Sequence, residues 1–243
     1  MGFFRKRFDM TTLDEIHRRT LHKNLEFTAL EQFKLLRTNL EFTLSDATSC
    51  PIIGVTSSIR GEGKSTTAIN LSYVLAEKGS RVLLIDGDLR LPTVAKKLDI
   101  ASTPGLTNML IDRFDKSIED LRSTVLDNWY VLPSGDIPPN PSELLGSGRM
   151  RATLEKLSSQ FDYIVIDLPP VNLVSDALSI SPELTGMLVV VREEYTEKKE
   201  LENCFRHLRM SNVNVLGCVM TGAGGRESYS RYKRYKKYYS YGK

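Results

Sequence analysis

The chain of 243 residues has no run of about 18 or more apolar residues, the length a helix needs to cross a bilayer. Its start, "MGFFRKRF", lacks the apolar stretch of a secretory signal, and Lys6 stands where a myristoylation signal wants Ser or Thr. The expectation is a cytoplasmic protein. Cysteine is scarce: Cys50, Cys204 and Cys218 are odd in number and in no metal-ligand spacing, which argues against a disulfide framework. The last eighteen residues hold no aliphatic side chain and neither Phe nor Trp, so they cannot build a core. What remains is ordinary for one globular domain, with 41% hydrophobic and 26% charged residues. The net charge of +3 is unevenly placed, because Arg226 to Lys243 alone carries +6 and leaves the rest at −3.

Six short runs rich in β-branched residues recur along the chain: "IIGVTS", "RVLLID", "WYVLP", "DYIVIDLPP", "MLVVV" and "VLGCVM". Most are apolar throughout, as strands buried on both faces of a parallel sheet require. Between the first two, "KSTTAINLSYVLAEKG" places Ala68, Leu71 and Leu75 near helical spacing and ends at Gly79, a C-cap. This alternation predicts a doubly wound, mostly parallel α/β sheet with ligands at the carboxyl ends of its strands. Ahead of it, Leu30, Phe33, Leu36 and Leu40 form one apolar helical face that needs a partner surface.

Directly after the first run comes "TSSIRGEGKST". Its end fits the phosphate-loop pattern G-x-x-x-x-G-K-[ST], although Ser58 stands at the first glycine position. Gly61 and Gly63 let successive amides turn toward phosphate oxygens at a helix N-terminus. Lys64 then bridges the terminal phosphates and Ser65 offers its hydroxyl to Mg²⁺. The predicted nucleotide contacts are Arg60, Gly61, Glu62, Gly63, Lys64, Ser65 and Thr66. Two further strands deliver carboxylates: "VLLIDGDLRLP" carries Asp86 and Asp88, and "YIVIDLPP" carries Asp167. Mg²⁺ keeps several waters and needs few protein ligands, so Ser65, Asp88 and Asp167 suffice as metal ligands. Arg60 and Arg90 flank the site, either to steady developing charge or as solvated surface arginines.

Six of the ten tyrosines lie at the end of the chain: Tyr229, Tyr232, Tyr235, Tyr238, Tyr239 and Tyr241. A basic tail that stacks on nucleic acid is one reading. Tyr without Phe points instead to use of the hydroxyl, and no nucleic acid is expected. A phenol with pKa near 10 is only about one part in a thousand ionised at pH 7, so a carboxylate that orients it or takes its proton helps. Asp86 is assigned that part and Lys64, Asp88 and Asp167 complete the catalytic set; the three carboxylates remain interchangeable, because a loose phosphoryl-transfer transition state asks for positioning more than basicity.

Together, "GEGKST", "LLIDGDLRLP", "IVIDLPP", "PSGDIPPNPSELL" and the tyrosine cluster resemble the bacterial tyrosine kinases of capsule and exopolysaccharide operons. Partition and septum-placing ATPases share the nucleotide motifs, but their signature lysine falls at Ile59 here, followed by Arg60 where they have glycine. The resemblance implies ATP and Mg²⁺ as cofactors and phosphorylation of the tail between subunits, with control of polysaccharide synthesis and export. It also implies a ring held by an E-x-x-R-x-x-R helix, represented here by Glu31, Lys34 and Arg37. Members without membrane spans dock on a membrane-anchored activator or chain-length regulator, which would bring the chain to the inner face of the membrane; a cognate phosphatase fits the same scheme. That family usually has Asn near the position of Thr221, in "GCVMTGAGG", which puts the adenine contacts from this strand end in question. The predicted organisation is an N-terminal segment at 1–24, a kinase domain at 25–225 and a disordered tail at 226–243. A partition-type ATPase acting on DNA or membrane, and an ATP-gated scaffold without phosphotransfer, are the alternatives.

Overall fold

The computed structural model describes residues 25–111 and 126–222. The tyrosine tail and the whole N-terminal segment therefore lie outside the described residues. The elements are α1 (Phe27–Thr43), β1 (Ile52–Ser57), α2 (Lys64–Glu77), β2 (Val82–Asp86), α3 (Val94–Leu98), α4 (Leu106–Leu110), β3 (Trp129–Leu132), α5 (Pro141–Leu145), α6 (Gly148–Ser158), β4 (Tyr163–Asp167), α7 (Asp176–Ser179), a 3₁₀ turn (Ser181–Glu183), β5 (Gly186–Arg192), α8 (Lys198–Met210) and β6 (Val215–Thr221). The six strands form one sheet in the order β3-β2-β4-β1-β5-β6. Every pairing is parallel, as the runs of uninterrupted apolar residues predict.

Successive strand residues point to opposite faces. Leu83, Ile85, Ile164, Ile166 and Val189 therefore build one core with α6 and α8. Val82, Leu84, Val165 and Val190 build the other with α2, whose Ala68, Leu71 and Leu75 are fully or almost fully buried. The apolar face of α1 finds its partner there: Leu40 is buried, and Leu30, Phe33 and Leu36 pack on the same cluster. Gly79, at φ 111°, follows the end of α2 as the cap reading expects. Strand β6 departs from the pattern of apolar strands. It is an edge strand, with Cys218 and Met220 exposed.

The topology matters because β1 lies between β4 and β5, so the loop leaving β1 opens beside the end of β4. In the register, Val55 pairs with Asp167 and Asp86 pairs with Asp167. Two carboxylates from separate strands thus reach one sheet edge.

Candidate active site

The loop from Ser58 to Gly63 joins β1 to α2, and its first residue explains the departure from the glycine pattern. Ser58 Oγ donates to both carboxylate oxygens of Glu62 at 2.9 and 3.0 Å, while the Ile59 amide donates to Glu62 Oε2 at 2.8 Å. Glu62 is 1% exposed, so its side chain is an internal strut and its backbone amide is what it can offer a phosphate. Glycine at position 58 would lack the hydroxyl. Gly61 and Gly63 have φ of 84° and 95°, the left-handed region that L side chains rarely adopt. A Cβ on Gly61 would also sit 3.0 Å from the Tyr195 hydroxyl.

Lys64 opens α2, and its Nζ lies 2.8 Å from Asp88 Oδ2, 3.4 Å from Asp167 Oδ1 and 3.4 Å from Ser65 Oγ. Burial disfavours its charge, but Asp167 and Asp88 outweigh that and hold the ammonium above its usual range. Thr93 Oγ1 donates to Ser65 Oγ at 2.9 Å, which fixes that hydroxyl beside the carboxylates. Burial raises Asp167, and one of its oxygens, Oδ2, is buried with no hydrogen-bond partner. An unpaired buried carboxylate oxygen is costly, and a hard cation is the partner that oxygen chemistry fits best. Ser65 and Asp167 could thus hold a divalent metal.

Asp86 is fully buried, and burial with the Asp167 charge pushes its pKa up to about 7. Its Oδ2 accepts the amides of Thr93 and Val94 at 3.1 and 3.0 Å, and its Oδ1 accepts that of Asp88 at 3.3 Å. Both oxygens are spent on backbone, anchoring the turn that carries Asp88 and the start of α3. Asp88, 5% exposed, accepts the Leu91 amide on Oδ1 at 3.1 Å and Lys64 on Oδ2, and it borders a small cleft with Arg60, Arg90, Leu91 and Pro169.

Residues 50–217 match the AAA_31 family, an AAA domain. The chain is 37% identical over 194 residues to the tyrosine-protein kinase YwqD of Bacillus subtilis, covering 79% of this chain and 80% of that protein. It belongs to the bacterial tyrosine-kinase family. The solved chimerical protein CapA2B2 is similar over 84% of this chain and 89% of its own, with 30% identity and a TM-score of 0.76. The septum site-determining protein MinD of Pyrococcus horikoshii, solved with Mg-ADP, is similar at 25% identity over 72% and 71% of the two chains, with a TM-score of 0.58. The resemblance read from the motifs is borne out, and the P-loop fold implies ATP with a divalent metal in this bacterial tyrosine kinase.

In the kinase, several residues singled out from sequence have partners that sequence does not reveal. Arg60 is exposed at the cleft. Arg90 is no free arginine: its Nε and an Nη donate to the two oxygens of buried Asp176 at 2.8 and 3.0 Å. Ser142 of the "NPSELL" segment joins them, donating to Asp176 at 2.5 Å. This bidentate pair ties the Asp88 turn to α5 and α7. Arg90→Ala strands a buried charge, and because Arg90 is itself partly exposed the cost should be about 1–3 kcal/mol of stability in urea unfolding. Arg90→Lys, lacking the fork, should recover only part of it.

On α1, Lys34 pairs with Glu31 at 3.0 Å within one turn, and Arg37 donates to the Val74 carbonyl at 2.5 Å. Within one chain, then, the first two form an i,i+3 surface pair and the third braces the end of α2. Thr66 lies in the first turn of α2, and its carbonyl accepts from Asn70 at 2.9 Å. Thr221 donates its hydroxyl to the Glu62 carbonyl at 2.6 Å. Sequence reasoning passed over Arg192, Tyr195 and Thr196, which all touch the phosphate loop. Lys97 also escaped it; burial lowers its pKa even though the Asp167 charge opposes the shift.

Proposed function

We propose that this chain transfers the γ-phosphoryl group of ATP to tyrosines of its own C-terminal segment, between subunits, and through this controls capsular or exopolysaccharide synthesis and export. The observation that carries the reading is the convergence of Lys64, Ser65, Asp88 and Asp167 at one sheet edge. It is supported by the six tail tyrosines, Tyr229 to Tyr241, which lie outside the described residues.

The division of labour we favour differs from the reading made on sequence alone. Asp86, with both oxygens on backbone amides, positions Asp88 and does not meet the acceptor. Asp88, at the cleft, orients the phenol. The phenolic oxygen bonds to the γ-phosphorus as the bond to the β–γ bridging oxygen breaks; ADP leaves and the phenolic proton passes to Asp88. Lys64 steadies charge on the phosphates. Mg²⁺, held by Ser65 and Asp167, would neutralise the phosphate oxygens when bound.

The partners belong to the same proposal. A membrane-anchored activator would recruit the kinase to the membrane, since no described helix is long and apolar enough to cross one. A phosphatase would reset the tail, and the ring contact would use Glu31, Lys34 and Arg37, with the first two exchanging partners. We keep the domain at 25–225 and the tail at 226–243.

One experiment tests both the transfer and its effect on assembly. Each phosphotyrosine adds roughly −1.5 to −2 charges at pH 7, so six bring roughly −9 to −12 against the tail's +6. An unmodified tail is attracted to the Asp88 and Asp167 edge, and a phosphorylated one is repelled. After incubation with Mg-ATP, intact-mass spectra should show stepwise additions of single phosphates, and light scattering should show oligomers turning to monomers, more sharply at low salt. The variant with all six tyrosines changed to Phe should do neither. ADP release without added mass would instead favour a simple ATPase.

A further inference from the structure

Three consecutive carbonyls of the phosphate loop are held from outside the loop. The Arg60 carbonyl accepts from the Tyr195 hydroxyl at 3.1 Å, that of Gly61 from Arg192 Nη1 at 3.0 Å, and that of Glu62 from the Thr221 hydroxyl at 2.6 Å. These donors lie more than 130 residues further along the chain, at the ends of β5 and β6. They also brace one another. The Arg192 guanidinium stacks over the Tyr195 ring at 5.0 Å, the Arg192 amide donates to Thr196 Oγ1 at 2.9 Å, and the Glu193 amide donates to the Thr221 carbonyl at 2.9 Å. Thr196 in turn donates to the Glu62 carboxylate.

A trans peptide puts its C=O and the following N–H on opposite sides of the chain. Pinning the carbonyls of residues 60, 61 and 62 on the outer side therefore turns the amides of Gly61, Glu62 and Gly63 the other way, as an anion-binding nest requires. We propose that Arg192, Tyr195 and Thr221 are positioning residues that set this nest before nucleotide arrives and so determine the affinity for ATP. None of them touches the reacting atoms. Their effect is preorganisation: a loop already in its bound shape has less conformational freedom to lose on binding. The arrangement also accounts for the exposure of Arg192 and Tyr195, which hold the loop from its solvent side and contribute little to the core.

The inference rests on the phosphate loop of the proposed function and not on the tail, so its test reads ATP binding directly. In the full chain with Mg²⁺, calorimetry should find ATP bound about three- to tenfold more weakly by Tyr195→Phe, which deletes one donor, and by Thr221→Val, which keeps the shape and loses the hydroxyl. Thr221→Ser, which retains the donor, should bind as wild type. The KM for ATP should rise in step while kcat at saturating ATP holds, a split that general loosening of the fold would not produce. Wild-type affinity in Tyr195→Phe overturns the proposal, as does a fall in kcat at unchanged affinity or a failure of Thr221→Ser to restore binding. Should Thr221→Val not fold, Tyr195→Phe on its exposed ring decides the matter alone. A tail that proves not to be the acceptor would leave these affinities unchanged.

Discussion

Lys64→Met should reduce tyrosine phosphorylation by at least about 10²–10³-fold, the scale seen when one group that stabilises developing charge is removed from a preorganised site. Methionine fills a similar volume, so the beginning of α2 is expected to keep its helical contacts. What disappears is the only positive charge bonded to Asp88 and Asp167 among the described residues. Near-UV circular dichroism in the presence of Mg²⁺ checks that the fold is kept, and phosphotyrosine blotting of the purified variant checks the chemistry. Phosphorylation at the wild-type rate in a folded variant would remove Lys64 from the site.

Asp167→Asn and Asp86→Asn should both cost activity by a comparable factor, but for separate reasons that stability measurements can tell apart. Asparagine at 167 removes the carboxylate proposed to hold the metal and, with it, a buried charge that burial already disfavours. It should leave the protein as stable as before, or more so. Asparagine at 86 puts an amide NH₂ toward the Thr93, Val94 or Asp88 amides, donor against donor, and so displaces the turn holding Asp88. That variant should lose stability as well. The pH dependence has a definite sign. Asp86 binds its proton more tightly folded, at about 7, than at its ordinary value of 3.8. With metal chelated, its contribution is complete below about pH 4 and is lost as pH rises through about 7. Asp167, raised in the same direction, adds to that slope, and Asp167→Asn should flatten it. Undiminished phosphorylation in both variants would show that the carboxylate edge is not the catalytic centre.

The strands and the carboxylate edge were legible in the sequence because each rests on a local pattern: an apolar run of four to seven residues, or an Asp placed at its end. The α1 helix was equally visible, since four apolar residues at helical spacing ask for a partner whatever that partner is. What was not legible depends on single hydrogen bonds between distant segments. Ser58 appeared to be a defect in a glycine pattern, yet its role is set by the orientation of Glu62, which spacing does not encode. Arg90 was read as a choice between catalysis and solvent, and buried Asp176, 86 residues further along, supplies a third answer. Asp86 and Asp88 look alike two positions apart; three amides hold the first, whereas the second takes one amide and the Lys64 ammonium and borders the cleft.

The end of β6 bears on how the proposed acceptor would be delivered. Beyond Gly222 the chain continues to its tyrosines from a point beside Thr221, whose hydroxyl rests on the phosphate loop. Covalent geometry limits an extended chain to about 3.3–3.6 Å per residue, so Tyr229, seven residues on, stays within about 25 Å of that root, while Tyr241, nineteen residues on, can travel about 65 Å. Under the proposed transfer, these lengths bound the reach of each acceptor tyrosine, rising from Tyr229 to Tyr241. In the proposed ring, the local concentration of acceptor would be set by tether length and subunit spacing and not by the amount of protein in the cell. In such a ring Tyr241 would have the widest choice of neighbouring sites, and Tyr229 would be confined to the sites nearest its own root.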